Sequence, residues 1–70
     1  MLGNTLKFYR EKNGLTQSLL AEKADINEKY YGRLERNECD PTVKMLMKIC
    51  QAFGIRLSDF FVSHEKEEGL

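Results

Sequence analysis

The sequence predicts a small all-α domain of five helical elements, on three observations. Residues suited to beginning and ending helices recur along the chain, apolar residues repeat at helical spacing, and no stretch alternates apolar and polar residues as a half-buried strand does. With 70 residues the chain is below the length at which a second domain is expected. Its composition, 41% hydrophobic and 31% charged, is typical of a folded domain and leaves no run long enough to span a membrane.

Four of the five predicted elements begin at a residue that can cap them. Thr16, Asn27 and Thr42 carry side-chain oxygens that accept a hydrogen bond from the free N–H groups of a first helical turn, and Ser58 would cap the last turn. Gly54 is suited to the left-handed residue that ends a helix. The predicted elements are helices at about 4–13, 17–24 and 28–36, a fourth helix between Thr42 and Gly54, and a short turn at Asp59–Val62.

The second and third helices are separated by residues 25–27 alone. Because a connection this short makes two helices cross steeply, the pair is a helix-turn-helix by geometry. We expect residues 1–63 to form the domain and residues 64–70 to form a polar tail.

The charges are distributed unevenly along a chain whose net charge is zero. Residues 1–36 carry seven Lys or Arg against five Asp or Glu, whereas residues 64–70 carry one Lys against three Glu. A mildly basic front is compatible with nucleic-acid contact, although it is not the basic stripe of a strong binder.

Cysteine and histidine usage argues against a metal centre. Cys39 and Cys50 do not form a paired motif, and the only histidine is His64. No nucleophile–base motif and no phosphate-binding glycine loop is present, so we expect no enzyme activity, no cofactor and no small-molecule ligand. The N-terminus lacks a secretory apolar run, which favours a cytoplasmic protein that does not associate with a membrane.

A series of short motifs resembles the Cro and phage-repressor helix-turn-helix family, also called the XRE family. The motifs are GLTQ, LA, LERN and PT at the family's intervals, and the resemblance covers about residues 5–62. It implies a compact five-helix Cro/repressor-like domain that binds double-stranded DNA and represses or otherwise regulates transcription. Asp25, where the family usually has glycine, and Leu19, where it is usually polar, depart from the pattern.

The resemblance implies base contacts on the third helix. Glu28, Lys29 and Arg33 share its outward face by helical spacing. The Arg33 fork matches guanine O6 and N7, Lys29 can reach a guanine or a phosphate, and Glu28 can accept from cytosine N4. Glu28 has an alternative role, complementing the helix dipole. Gly32 is unfavourable inside a helix, which suggests that a base or the DNA backbone approaches closely there.

The resemblance also implies a set of phosphate contacts and one structural ion pair. Hydroxyl, amide and guanidinium groups donate to phosphate oxygens and fix register without reading sequence. In this family an arginine at Arg10 pairs with Glu35, tying the first helix to the third. The predicted phosphate-contacting residues are Thr16, Gln17, Asn27, Tyr30, Arg36 and Asn37.

Apolar residues near the C-terminal end predict a homodimer, which is also the family's habit. They exceed what one small core is expected to hide, and Phe61 is the preferred interface residue. Two copies related by a two-fold axis would present the third helix to successive major grooves about 34 Å apart, which implies an inverted-repeat operator. The residues behind this expectation are Phe53, Ile55, Leu57, Phe60, Phe61 and Val62.

Two alternative functions remain open from the sequence. A restriction-modification controller protein fits the LERN and PT segments equally well. An antitoxin or adaptor that uses the fold to bind a partner protein is compatible with zero net charge and with the apolar Leu19.

Overall fold

The computed structural model describes residues 2–67, which form five helices and confirm the predicted all-α class. The helices pack in a compact arrangement in which α2 contacts α3 and α4, α1 contacts α3 and α5, and α4 contacts α5. Their bounds are α1 Gly3–Lys12, α2 Gln17–Ala24, α3 Glu28–Glu35, α4 Val43–Phe53 and α5 Leu57–Glu67.

Three of the predicted caps are confirmed. The side-chain oxygens of Thr16, Asn27 and Thr42 each accept a hydrogen bond from the backbone N–H three residues further on, at 3.1, 3.0 and 3.1 Å. Each of the three residues has extended backbone geometry, so its side chain turns back over the first turn of its helix. These local bonds fix where α2, α3 and α4 begin.

The turn of the helix-turn-helix is built on a left-handed aspartate. Asp25 has φ of 57° and ψ of 51°, and the backbone N–H of Ile26 donates to the carbonyl of Ala21 at 2.9 Å. This is the bond pattern of a helix that stops at a left-handed residue, a conformation that aspartate tolerates better than most residues. Asp25 therefore performs the structural task for which the family usually has glycine.

The core is a single apolar cluster to which all five helices contribute. Tyr31 and Phe60 are its largest fully buried side chains. Tyr9 links α1 to this cluster, because its ring stacks on Phe53 with centroids 5.6 Å apart and lies 6.1 Å from Phe60. The other buried apolar residues are Leu6, Leu20, Ala21, Ala24, Leu34, Leu46, Ile49, Cys50 and Ala52.

The last helix differs from the prediction in both length and cap. It runs over Leu57–Glu67 instead of the short turn Asp59–Val62, and Ser58 lies inside it. Asp59 accepts a hydrogen bond from the backbone N–H of Arg56 at 3.2 Å, so the helix starts earlier than predicted. Residues 64–67 therefore continue α5 beyond the predicted domain boundary, and residues 68–70 of the predicted tail lie outside the described residues.

Packing against α1 accounts for the extra length of α5. Thr5, which is 1% exposed, shares a hydrogen bond of 3.1 Å with Nδ1 of His64. The Tyr9 hydroxyl and the Ser63 hydroxyl form a second hydrogen bond between the same two helices. Contacts over a separation of more than fifty residues do not show in a local sequence pattern, which is why the prediction fell short.

Candidate nucleic-acid interface

The outward face of α3 is exposed, as its helical spacing predicts. Glu28, Lys29 and Arg33 are solvent-exposed, whereas Tyr31 and Leu34 on the opposite face are buried. The Arg33 side chain is 54% exposed. Since no part of residues 2–67 covers these three side chains, this face is free to meet a large ligand.

This face is the floor of a shallow concavity of about 360 Å³, which we call the α3 concavity. It holds three cationic side chains and two carboxylates and is thus locally net positive on a chain whose net charge is zero. Polyanions are attracted to such a surface even when the whole molecule is neutral. Its lining residues are Gln17, Glu28, Lys29, Gly32, Arg33, Arg36 and Glu38.

Gly32 is buried beneath side chains of the same chain, and its predicted base contact stays a prediction. A Cβ atom built on Gly32 would lie 3.1 Å from Nη1 of Arg36 and 3.3 Å from Oε1 of Gln17. The close approach that the glycine permits is therefore made by side chains of the same chain, and these side chains cover it.

Gln17 braces α2 against α3. Its Nε2 donates to Oε1 of Glu35 at 3.2 Å, while its own oxygen lies beside Gly32. The side chain is half-buried and lines the α3 concavity, where it holds the start of α2 against α3. The predicted phosphate contact of Gln17 stays a prediction, and one of the two N–H donors of its amide is engaged by Glu35.

Arg10 and Glu35 form the ion pair between α1 and α3. Nε of Arg10 donates to Oε2 of Glu35 at 2.6 Å, and Nη2 donates to Oε1 at 3.1 Å. Nη1 donates to the carbonyl of Leu15 at 2.8 Å, which ties the α1–α2 loop into the same group. The Arg10 and Glu35 side chains are only 13% and 4% exposed, so the two-point pairing is largely shielded from solvent.

The pKa values around this pair reflect its burial and its hydrogen bonds. Burial by itself would raise the pKa of Glu35, but hydrogen bonds led by those from Arg10 hold that pKa below its usual value. The hydrogen bond to Glu35 raises the pKa of Arg10. Burial also raises the pKa of Tyr31, whose hydroxyl is enclosed beside the pair.

Of the other predicted phosphate-contacting residues, Arg36 lines the α3 concavity, and the remaining four are each next in sequence to a residue that lines it: Thr16, Asn27, Tyr30 and Asn37. Thr16 and Asn27 are exposed at the starts of α2 and α3, where their oxygens act as caps and their donor hydrogens stay free. Tyr30 is half-buried, and burial raises the pKa of its hydroxyl. Asn37, with φ of 59°, accepts a hydrogen bond from the Gly3 N–H at 2.9 Å and leaves its NH₂ group as a donor.

Glu38 is a member of this surface that the sequence did not reveal. Nε of Arg36 donates to Oε2 of Glu38, and Nε of Arg33 lies 4.0 Å from Oε1. A signal was present, since an acidic residue follows two arginines within five positions, but the turn after α3 decides whether they meet.

The predicted dimer surface is present only in part. Phe60 is 0% exposed and Phe53 is 5% exposed, so both belong to the core of the single chain, which corrects their assignment to an interface. Phe61 and Val62, at 40% and 53%, remain exposed, and Ile55 is half-buried. With Leu57, Ile55 borders an apolar groove of about 600 Å³ between α4 and the start of α5, whose other apolar lining includes Val43 and Met47.

The described residues contain neither a metal-binding cluster nor a membrane-spanning helix. No group of His, Cys, Asp or Glu within residues 2–67 is arranged to bind a metal ion. None of the helices in that range has both the length and the apolar character needed to cross a bilayer.

Known proteins are similar to this chain in sequence. A family model described as helix-turn-helix matches residues 6–60. An uncharacterised HTH-type transcriptional regulator of Methanocaldococcus jannaschii is 34% identical over 64 residues, which are 91% of this chain and 97% of that protein. The control protein C.MunI of a Mycoplasma species is 38% identical over 66 residues, 93% of this chain and 89% of that protein.

The fold comparison agrees. The crystal structure of the biofilm regulator SinR in complex with DNA superposes with a TM-score of 0.82 at 31% identity, covering 87% of this chain and 98% of that one. Longer regulators match as well, and the chain spans between 33% and 60% of their lengths. These relatives are transcriptional regulators and not enzymes. The chain belongs to the Cro/C1-type (XRE) helix-turn-helix family of transcriptional regulators.

Proposed function

We propose that this chain is a sequence-specific double-stranded DNA-binding repressor that acts as a homodimer on an inverted-repeat operator. The observation that carries the proposal is the exposed face of α3, on which the side chains of Lys29 and Arg33 are solvent-exposed and line a locally positive concavity. An α-helix with outward guanidinium and ammonium groups fits the major groove, where these groups match guanine O6 and N7. Access to DNA requires a cytoplasmic location.

The roles of the residues follow from their positions on this surface. Arg33, towards the end of α3, contacts a guanine. At the start of the helix Lys29 reaches a guanine or a phosphate, and Glu28 accepts from a cytosine amino group. Thr16 and Asn27 donate to phosphates at one edge of the α3 concavity. Arg36, Asn37 and Tyr30 bind phosphates at its remaining borders.

The dimer forms through the exposed apolar residues of the α4–α5 end. Phe61 and Val62 offer apolar area that the single chain leaves in solvent, and Ile55 and Leu57 continue it into the neighbouring groove. A two-fold axis at this end places the two α3 helices about 34 Å apart on one side of the duplex.

A mobility-shift assay on duplexes selected from a random pool tests the proposal. We expect the selected sites to be inverted repeats, and binding to weaken by orders of magnitude between 50 and 200 mM salt, because phosphate contacts release counterions. Arg33→Ala should cost about 1–3 kcal/mol on the selected site and relax preference at one base pair. A selection that yields no enriched sequence, or an equal loss for Arg33→Ala on random DNA, contradicts the proposal.

A restriction-modification controller is the second candidate function. The observation that favours it is the 38% identity with the control protein C.MunI over 89% of that protein's length. Both functions use the same DNA-binding surface, so the enriched sequence separates them when it is located in the genome: a controller's site lies upstream of modification and restriction genes. A partner-binding adaptor instead predicts no duplex binding and a co-purifying protein.

A further inference from the structure

Glu38 lies in the turn after α3, where it accepts a hydrogen bond from Arg36 and lies close to Arg33. Its Oε2 accepts from Nε of Arg36, and its Oε1 lies 4.0 Å from Nε of Arg33. All three side chains are about half exposed, between 49% and 57%. The backbone N–H of Glu38 also donates to the Arg33 carbonyl at 2.9 Å, which fixes the turn that brings the carboxylate back over α3.

The contacts of Glu38 use only one edge of each arginine. Both run through Nε, which leaves the outer edge formed by the two Nη groups without a contact to this carboxylate. The outer edge is the fork that pairs with guanine or with a phosphate. A carboxylate held at Nε limits the rotation of the long, flexible arginine side chain. The fork of Nη groups is then kept available for a ligand.

Gly32 completes the arrangement for Arg36. Because this position has no side chain, Nη1 of Arg36 can lie over the helix backbone, where a Cβ atom would be only 3.1 Å away. The guanidinium of Arg36 is thus held between Gly32 and Glu38. The structure accounts in this way for a glycine inside a helix and for an acidic residue on a surface that faces a polyanion.

We propose that Glu38 is a positioning residue for sequence readout, which holds Arg36 through a hydrogen bond at Nε and restrains Arg33 through its nearby charge, so that the fork of Arg33 and Nη2 of Arg36 face the duplex. Its negative charge also repels phosphates, so it weakens binding that does not use those groups. The inference rests on the proposed DNA-binding function and deepens it: Glu38 adds to the preference for the operator over other DNA and does not add to general affinity.

The test compares Glu38→Gln with Glu65→Gln. Both variants remove one negative charge from an exposed glutamate, but Glu65 lies on α5, away from the residues that line the α3 concavity. Affinities are measured on the selected operator and on a random duplex of equal length, over a series of salt concentrations.

We expect Glu38→Gln to lower the ratio of operator to random affinity by about tenfold, within the range that one bidentate arginine–base contact provides. On random DNA we expect tighter binding and a salt slope steeper by about 0.9, as for one added phosphate contact. Glu65→Gln should leave the ratio and the slope unchanged. The effect on the ratio should vanish in an Arg33→Ala background, because Glu38 then has no base-reading fork to hold.

Three results overturn the inference. Glu38→Gln with an unchanged ratio shows that the carboxylate does not position the arginines. Equal losses on both duplexes, together with a lower melting temperature, show a structural role in the turn. If the wild-type protein shows no preference for any duplex, the proposed function itself is refuted. This result is obtained before any variant is made.

Discussion

Replacing Arg10 with methionine removes the cation from a shielded ion pair while keeping a long apolar stem. Arg10 donates two hydrogen bonds to Glu35 and one to the carbonyl of Leu15, and the Glu35 side chain is 4% exposed. The variant leaves this carboxylate with one hydrogen bond from Gln17, at 3.2 Å. Breaking a buried pair by removing one partner costs about 3–5 kcal/mol. Because the Arg10 side chain retains 13% exposure, we expect the lower end, about 3 kcal/mol.

A loss of this size is large for so small a domain. A change of 1 kcal/mol shifts the melting temperature of a 60–100-residue domain by about 4–8 °C, so Arg10→Met should lower it by at least about 12 °C. Urea unfolding followed by far-UV circular dichroism measures the free energy of unfolding directly. The matched control is Arg36→Met, which removes an arginine from an exposed pair with Glu38 and should change stability little. If both variants unfold at the same urea concentration, the shielded pair does not stabilise the fold as argued.

Three further predictions concern stability and assembly. Gly3→Ala should destabilise the domain by about 1–3 kcal/mol in urea unfolding, because its Cβ would lie 2.2 Å from the backbone oxygen of Glu35, whereas Asn4→Ala on the exposed side of α1 should not. Folding lowers the pKa of Glu35 below its unfolded value of about 4.3, so the ionised side chain adds to the free energy of unfolding above that pH. This contribution is lost as the pH falls through the folded pKa. Glu35→Gln should lack this part of the pH dependence of the free energy of unfolding. Phe61→Ser should shift sedimentation from dimer to monomer, whereas Leu19→Ser, which removes a somewhat more exposed apolar side chain on α2, should remain dimeric. The first argument fails if Gly3→Ala and Asn4→Ala are equally stable in urea. The second fails if Glu35→Gln and the wild type lose stability in parallel as the pH falls. The third fails if Phe61→Ser still sediments as a dimer.

The parts of the fold that the sequence predicted are those that local bonds determine. Thr16, Asn27 and Thr42 cap their helices through bonds to residues three positions away, so the bounds of α2 and α3 were predicted to within one residue. Asp25 ends α2 by its own left-handed backbone. The length of α5 depends instead on its packing along α1, through residues such as His64, and was predicted too short.

The candidate site shows the same division. Helical spacing placed Lys29 and Arg33 on the outward face of α3, because the period of a helix is fixed. Spacing did not distinguish the buried Phe60 from the exposed Phe61, since adjacent residues near the edge of an apolar face can pack either way. No local pattern specifies how the side chains of α2 and of the α3–α4 turn meet. The sequence therefore did not reveal why position 32 has a glycine or which residues Glu38 contacts.

The central claim is that DNA meets the protein at the outward face of α3. Titration of the isotope-labelled protein with the selected operator duplex, followed by amide chemical shifts in NMR, tests it most directly. We expect the largest changes in amide chemical shift around Lys29 and Arg33 and at the starts of α2 and α3. Shifts confined to the α4–α5 groove, with the α3 amides unchanged, would contradict it.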